Sequence, residues 1–286
     1  MPTKTPAPIS IIPMRPAVSG KNPLLKLAII NHKGGVGKTS TAVHLSGTFA
    51  SMGYRVLVCD CDSQGDLSAV FVKGHEHLPH SIADIFDGNP VPIAELIQPT
   101  NRENVFVITA DDRLDDVDKT HSFQNDPAVQ CLADALSEVE HQYDVILFDC
   151  PPRRHLTSFA ALVAASEVII PCEPERFSVR SMARLRTEID EVQQQLNPQL
   201  RIKGYFLSKL SSRATSHQKY REMLIKALGD SLVFKTSIPD QAVFKTAINV
   251  GKPVCDHAPK SKAAKVMKDF ALELLGDVPH EHHAIA

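Results

Sequence analysis

The feature that most constrains the fold is a glycine-rich run between an apolar segment and a segment with helical spacing. The run spans residues 31–40 (NHKGGVGKTS), and the apolar residues 24–30 before it are interrupted only by Lys26. Residues 41–52 follow with helical spacing and end at Gly53. A strand, a glycine-rich turn and a helix in this order form the loop that holds nucleotide phosphates. The sequence therefore predicts an α/β fold built around a nucleotide site.

The residue types in this loop fit phosphate chemistry. Glycines let backbone N–H groups converge on phosphate oxygens, Lys38 can reach the terminal phosphates, and the Thr39 hydroxyl is placed to ligate magnesium. Glycine is usual five residues before Gly37, but this chain has His32 there, followed by a second lysine, Lys33. We predict nucleotide contacts from Lys33, Gly34, Gly35, Val36, Gly37, Lys38, Thr39 and Ser40.

The loop with its early lysine resembles the deviant Walker A loop of the ParA/MinD family of dimerising ATPases. The resemblance implies that ATP and Mg²⁺ are the cofactors and that the active species is a homodimer formed on ATP. It also implies that Lys33 reaches the nucleotide of the partner subunit. The resemblance extends from about residue 24 to residue 275.

Two acidic segments follow predicted strands and complete the chemistry of phosphoryl transfer. Residues 60–65 (DCDSQG) resemble the family's D-x-D-P-Q-G segment, with serine in place of proline. The resemblance implies that Asp62 orients or activates water and that Asp60 supports magnesium or loop geometry. Asp149 ends an apolar strand, as a Walker B acid does when it holds magnesium. We predict Lys33, Lys38 and Asp62 as catalytic residues, and Thr39, Asp62 and Asp149 as metal ligands.

Other segments leave alternatives open. Arg153 and Arg154 stand where the family usually has small or apolar residues. They could contact an acidic partner or the dimer mate, but we expect them to face solvent. Pro239 and Asp240 resemble the family's adenine-packing segment, although proline followed by aspartate also forms ordinary turns.

The order of predicted elements indicates the fold class. Strands are predicted at residues 55–59, 104–109, 144–148, 168–171 and 202–207, and helices at 81–86, 127–143, 157–165, 178–196, 217–228 and 262–275. Strands that alternate with helices predict a doubly wound, mostly parallel sheet flanked by helices. We expect a flexible arm at residues 1–23, a single P-loop ATPase domain at 24–275 and a disordered tail at 276–286.

Charge and cysteine content limit the partners and the compartment. The net charge is −2, so binding to nucleic acid requires a local basic patch. The 6 cysteines form no paired C-x-x-C pattern, which indicates reduced thiols in a cytoplasmic protein. Residues 265–275 are amphipathic, but an acidic tail follows them, so we predict a core helix and expect no membrane attachment.

The family resemblance implies a surface partner for the ATP-bound dimer. Residues 211–215 align with the family's D-x-R segment. We predict non-specific DNA contacts from Arg213, Lys219, Arg221 and Lys245. The alternative is that these residues form an ordinary solvated basic face. We therefore predict a nucleoid-associated ParA-like ATPase that segregates plasmid or chromosome DNA with a ParB-like partner. The alternatives are a ParA-like ATPase that positions a protein cargo and a MinD-like ATPase at a membrane. A metabolic P-loop enzyme is disfavoured by Lys33 and by residues 149–152.

Overall fold

A computed structural model describes residues 24–87, 91–120, 126–174, 179–210 and 214–276. A 7-stranded sheet runs through this part of the chain in the order β3-β4-β2-β5-β1-β6-β7. The strands are β1 (Leu25–Ile29), β2 (Val56–Asp60), β3 (Ile97–Pro99), β4 (Val105–Ile108), β5 (Val145–Asp149), β6 (Glu167–Cys172) and β7 (Arg201–Leu207). Neighbouring strands pair in parallel except β3 and β4. The predicted fold class is confirmed.

Helices connect the strands and cover both faces of the sheet. Their bounds are α1 (Lys38–Ser51), α2 (Asp66–Phe71), α3 (Ile93–Leu96), α4 (Arg113–Thr120), α5 (Cys131–Ser137), α6 (Leu156–Ala164), α7 (Val179–Gln195), α8 (Ala214–Leu228), α9 (Ala242–Asn249), α10 (Val254–His257) and α11 (Lys262–Leu275). Short 3₁₀ turns lie at His75–His77, Ile82–Phe86, Pro127–Gln130, Glu140–Gln142 and Asp230–Leu232.

Strand β1 shows how the two cores are divided. Leu27 and Ile29 join one buried cluster, whereas Ala28 and Ile30 join the other. Successive side chains of a strand point to opposite faces, so a strand covered on both faces is apolar throughout. This explains why β2 and β5 appear in the sequence as continuous apolar runs, and why β1 does so apart from Lys26.

Helix α11 belongs to the core. It packs against α1 and buries Met267, Phe270 and Leu274, and its end is capped by Gly276 in a left-handed conformation. The prediction of a core helix at residues 265–275 is confirmed. Among the described residues, no helix combines the length and apolar character needed to cross a membrane.

The predicted continuous helix over residues 127–143 is wrong. A 3₁₀ turn capped by Asp126 precedes α5, which ends at Ser137, and a second 3₁₀ turn follows. The chain leaves the helix because Val139 and Tyr143 are buried, with Tyr143 packed edge-on against Phe106 of β4. Tertiary packing therefore overrides the local helical pattern here.

Candidate nucleotide-binding site

The glycine-rich loop joins β1 to α1 at the carboxyl edge of the sheet. Gly35 and Gly37 have φ values of 77° and 92°, which glycine adopts without strain. Helix α1 begins at Lys38, three residues earlier than the sequence pattern indicated, and the Thr41 N–H donates to the Gly37 carbonyl at 2.9 Å. The first N–H groups of α1 therefore point towards the space above the loop, where an anion is favoured.

Lys38 is buried inside the loop. Its Nζ donates to the Lys33 carbonyl at 3.3 Å, so the Lys38 side chain lies back across the glycine-rich loop. Burial lowers the pKa of Lys38, and the nearby Asp149 carboxylate opposes this effect. A phosphate group in the loop would supply the negative charge that a buried ammonium lacks.

The loop entrance is anchored to the end of β6. The Asn31 side chain accepts from the Lys33 N–H at 3.0 Å and donates to the Pro171 carbonyl at 2.8 Å. Lys33 itself is partly buried. Burial raises the pKa of the nearby Cys172 thiol, and the positive charge of Lys33 opposes that rise. These contacts fix the backbone of Lys33 relative to the sheet.

Asp149 is the buried acid of the site. It ends β5, lies in register with Asp60 of β2, and is 1% exposed. Burial raises its pKa well above the ordinary value, Asp60 adds to the rise, and the Thr39 hydroxyl and Lys38 oppose it. Within the described residues neither carboxylate oxygen makes a hydrogen bond of good geometry. A buried carboxylate beside a hydroxyl, with unused oxygens, is a donor set that fits Mg²⁺.

Asp60 and Asp62 do different things in the loop after β2. Asp60 accepts from the Ser68 N–H at 2.9 Å, the Ser68 hydroxyl at 2.6 Å and the Asp62 N–H at 3.2 Å. Burial raises its pKa to about 7, and the bonds from Ser68 oppose the rise. Asp62 is partly exposed, accepts from the Gln64 N–H at 3.2 Å and faces the cavity above the loop. Asp60 thus shapes the loop, and Asp62 is the acid within reach of a bound nucleotide.

A cavity of about 400 Å³ brings these segments together. Its wall combines phosphate-loop residues and Asp62 with Pro239 and Asp240, which the sequence had suggested for adenine. The predicted loop residues that line it are Gly34, Gly35, Gly37, Lys38, Thr39 and Ser40. Val36 is buried and contributes its carbonyl, which accepts from the Ser208 hydroxyl at 2.8 Å.

Sequence reasoning missed several residues of this wall. They include Gln64, Ser208, Lys209, Gln241 and Phe244. The turn after β7 and helix α9 bring four of them to the cavity from positions far along the chain. Their spacing carries no phosphate-binding pattern, so only the three-dimensional fold identifies them.

A buried glutamate explains two departures from the usual pattern. Glu188 of α7 contacts His32 Nε2 with one carboxylate oxygen and Arg154 Nε, at 2.7 Å, with the other. Its side chain is 5% exposed, so the carboxylate is held between a cation and an imidazole inside the protein. Arg153 and Arg154 are both exposed, as predicted, but the Arg154 guanidinium is also ion-paired with Glu188, which the sequence did not indicate.

The predicted DNA residues do not form a described cluster. Arg213 lies outside the described residues, and Lys219 is exposed on α8. Arg221 lies 3.6 Å from Asp230. Lys245 lies 3.8 Å from Asp240 and lines the mouth of the nucleotide cavity. Among the residues that the structure describes, no group of three or more His, Cys, Asp or Glu side chains could by itself hold a metal.

Comparisons with known proteins agree with this geometry. The family model of the AAA domain matches residues 25–202. The sporulation initiation inhibitor protein Soj of Bacillus subtilis is 32% identical over 87% of this chain and 97% of its own length. The chromosome partitioning protein ParA of Myxococcus xanthus is 32% identical over 87% of each chain.

A solved structure also shares the fold and the ligand class. The cobyrinic acid a,c-diamide synthase from Mycobacterium smegmatis, with bound ATP analog and magnesium, has a TM-score of 0.75 and 26% identity. The superposition covers 88% of this chain and 94% of that one. An ATP analog and magnesium are therefore held by a protein with this arrangement of strands and helices.

Proposed function

We propose that this chain is an ATP-driven switch that positions DNA. The premise is that the chain belongs to the AAA domain family and to the ParA/Soj partitioning ATPases. The 87% of the chain matched by Soj and by ParA confirms the resemblance first seen in the loop. One observation carries the ATP-dependent part of the proposal: the buried Asp149 carboxylate, whose oxygens make no hydrogen bond of good geometry to the described residues, lies beside Thr39 and Lys38 at the loop that lines the nucleotide cavity.

In the proposed reaction, the loop binds the phosphates of ATP. Backbone N–H groups at residues 34–40 and the Lys38 ammonium would hold the phosphate chain. Thr39 and Asp149 would hold Mg²⁺, with Asp62 facing the same cavity. Bound Mg²⁺ would neutralise charge on the terminal phosphates. Asp62 would orient the attacking water, because it is the partly exposed acid of the cavity wall.

Lys33 would complete the site from a second copy of the chain. It lies at the loop entrance, and it is not part of the wall of its own cavity. An ammonium delivered across an ATP-bound homodimer would couple dimerisation to hydrolysis. Turnover by the monomer would then be slow, and partner contact would stimulate it.

The ATP-bound dimer would bind DNA through phosphate contacts. The proposed contacts are Arg213, Lys219, Arg221 and Lys245. Cationic side chains neutralise the phosphate backbone of DNA without reading its base sequence. A ParB-like protein on the DNA cargo would trigger hydrolysis and release. The protein would then act in the cytoplasm, on the nucleoid.

The test measures binding of random-sequence duplex DNA with ATP, ADP or no nucleotide across a salt series. Wild type and Arg213→Ala are compared, with Lys262→Ala on α11 as a control for a lysine outside the proposed patch. We expect ATP-dependent, salt-sensitive binding that Arg213→Ala weakens. Nucleotide binding without DNA binding in any state would reject the DNA function and leave protein cargo or a membrane as the surface to be tested.

A further inference from the structure

The backbone at Lys209 adopts a conformation that lysine rarely takes. Lys209 follows the end of β7 and has a φ of 54°, in the left-handed region. Among the described residues, the other non-glycine with positive φ is Asn104, a residue type enriched in that region. A left-handed lysine costs free energy and persists only where its surroundings determine it, which often occurs at functional sites.

Both neighbours of Lys209 hold this conformation in place. The Ser208 hydroxyl donates to the Val36 carbonyl at 2.8 Å, which ties the turn to the phosphate loop. The Leu210 N–H donates to the Ile238 carbonyl at 3.2 Å, and the Leu210 carbonyl accepts from the Asp240 N–H at 2.8 Å. Lys209 is therefore fixed between the phosphate loop and the candidate adenine segment.

The side chain of Lys209 lies over the phosphate loop. Its Cε is 3.9 Å from the point that a Cβ on Gly37 would occupy, and the residue lines the nucleotide cavity. Its ammonium makes no hydrogen bond or ion pair to any other described residue, although Asp62 and Asp240 line the same cavity. A lysine at the end of a strand ordinarily extends into water, so this placement requires a reason.

We propose that Lys209 is a nucleotide-binding residue whose Nζ donates to the α- and β-phosphate oxygens of ATP and ADP. Lys38, inside the loop, reaches the terminal phosphates, whereas Lys209 approaches from the side of the candidate adenine segment. The ammonium thus lies where the phosphate chain meets the nucleoside. This assignment rests on the proposed nucleotide-binding function and adds a cation outside the glycine-rich loop.

The test is calorimetric titration of the full chain with Mg-ADP, Mg-ATPγS and adenosine. Lys209→Met removes the charge and keeps the length of the side chain. We expect about tenfold weaker binding of both ADP and ATPγS, the size of a charge-assisted hydrogen bond, and unchanged binding of adenosine. Lys268→Met, which removes an exposed lysine of α11 that does not line the cavity, should stay within about twofold of wild type.

A second variant separates binding from folding. Lys209→Gly relieves the left-handed backbone, so the free protein should melt at a higher temperature than wild type while losing ADP affinity as Lys209→Met does. If Lys209→Met binds ADP as tightly as wild type, the proposal is overturned. Equal losses for adenosine and ADP would also overturn it, because they would indicate a distorted cavity. Failure of wild type to bind either nucleotide would instead reject the nucleotide function itself.

Discussion

Replacing Glu188 by glutamine tests whether the phosphate loop and the loop after β5 are linked energetically. The substitution keeps the shape of the side chain and removes the negative charge of the carboxylate. One oxygen of that carboxylate lies 2.7 Å from Arg154 Nε, and the other contacts His32 Nε2. Removing one member of a buried ion pair costs about 3–5 kcal/mol. Arg154 is 43% exposed, so water can solvate its guanidinium once the carboxylate is gone. The glutamine carbonyl can also still accept one hydrogen bond.

We therefore expect Glu188→Gln to lower the free energy of unfolding by about 2 kcal/mol. For a chain of this size, that loss corresponds to a melting temperature lower by roughly 4–8 °C. The effect on activity should exceed the effect on nucleotide binding, because His32 precedes Lys33 and Arg154 belongs to the loop after Asp149. Turnover should fall about tenfold, whereas ADP affinity of the monomer should change by less than about threefold.

The assay is urea unfolding of the single and double variants of Glu188 and His32. His32→Gly restores the usual glycine, so a cycle with Glu188→Gln isolates the coupling between these two side chains. We expect a coupling free energy of about 1 kcal/mol or more. Glu191→Gln, an exposed position on the same helix, is the matched control. Additive effects of His32→Gly and Glu188→Gln, or equal stability of Glu188→Gln and Glu191→Gln, would refute the linkage.

Three further predictions follow from single residues. Lys33→Ala should leave ADP binding by the monomer intact. It should abolish ATP hydrolysis and ATP-dependent dimerisation, the latter measured by sedimentation. Normal turnover would contradict the role of this lysine across the dimer. Burial lowers the pKa of His44 from 6.5 to about 4, and its Nδ1 accepts from the Val254 N–H at 3.0 Å. As pH falls, the unfolded chain therefore protonates this histidine before the folded chain does. About 3 kcal/mol of the free energy of unfolding should be lost between pH 6.5 and 4, as measured by urea titrations. His44→Asn, which keeps a hydrogen-bond acceptor, should reduce this dependence of the free energy of unfolding on pH. Gly47→Ala should destabilise the protein by about 2 kcal/mol despite better helix propensity, because its Cβ would lie 2.3 Å from Pro253 Cβ; an unchanged melting temperature would show that α10 moves away freely.

The sequence predicted the parts of the fold whose signal is local. Strands β2 and β5 are buried on both faces, so each appears as an apolar run with a boundary error of one residue or so, and β1 does the same apart from Lys26. The phosphate loop was equally visible, because its glycines and lysines have fixed spacing. The antiparallel strand β3 and the short helix α2 escaped, since neither is long enough to show a period.

The parts of the site that the sequence could not predict share one physical cause. His32 and Glu188 contact each other although they are 156 residues apart, and Lys209 owes its conformation to bonds made by its neighbours to Val36 and Ile238. Seen along the chain, His32 and Arg154 are two unrelated departures from a family pattern. In the folded protein a single buried carboxylate balances both, so substituting either residue alone leaves that charge partly unpaired. His32 and Arg154 should therefore tolerate substitution better when Glu188 is changed with them, and the cycle of His32→Gly and Glu188→Gln tests this for His32.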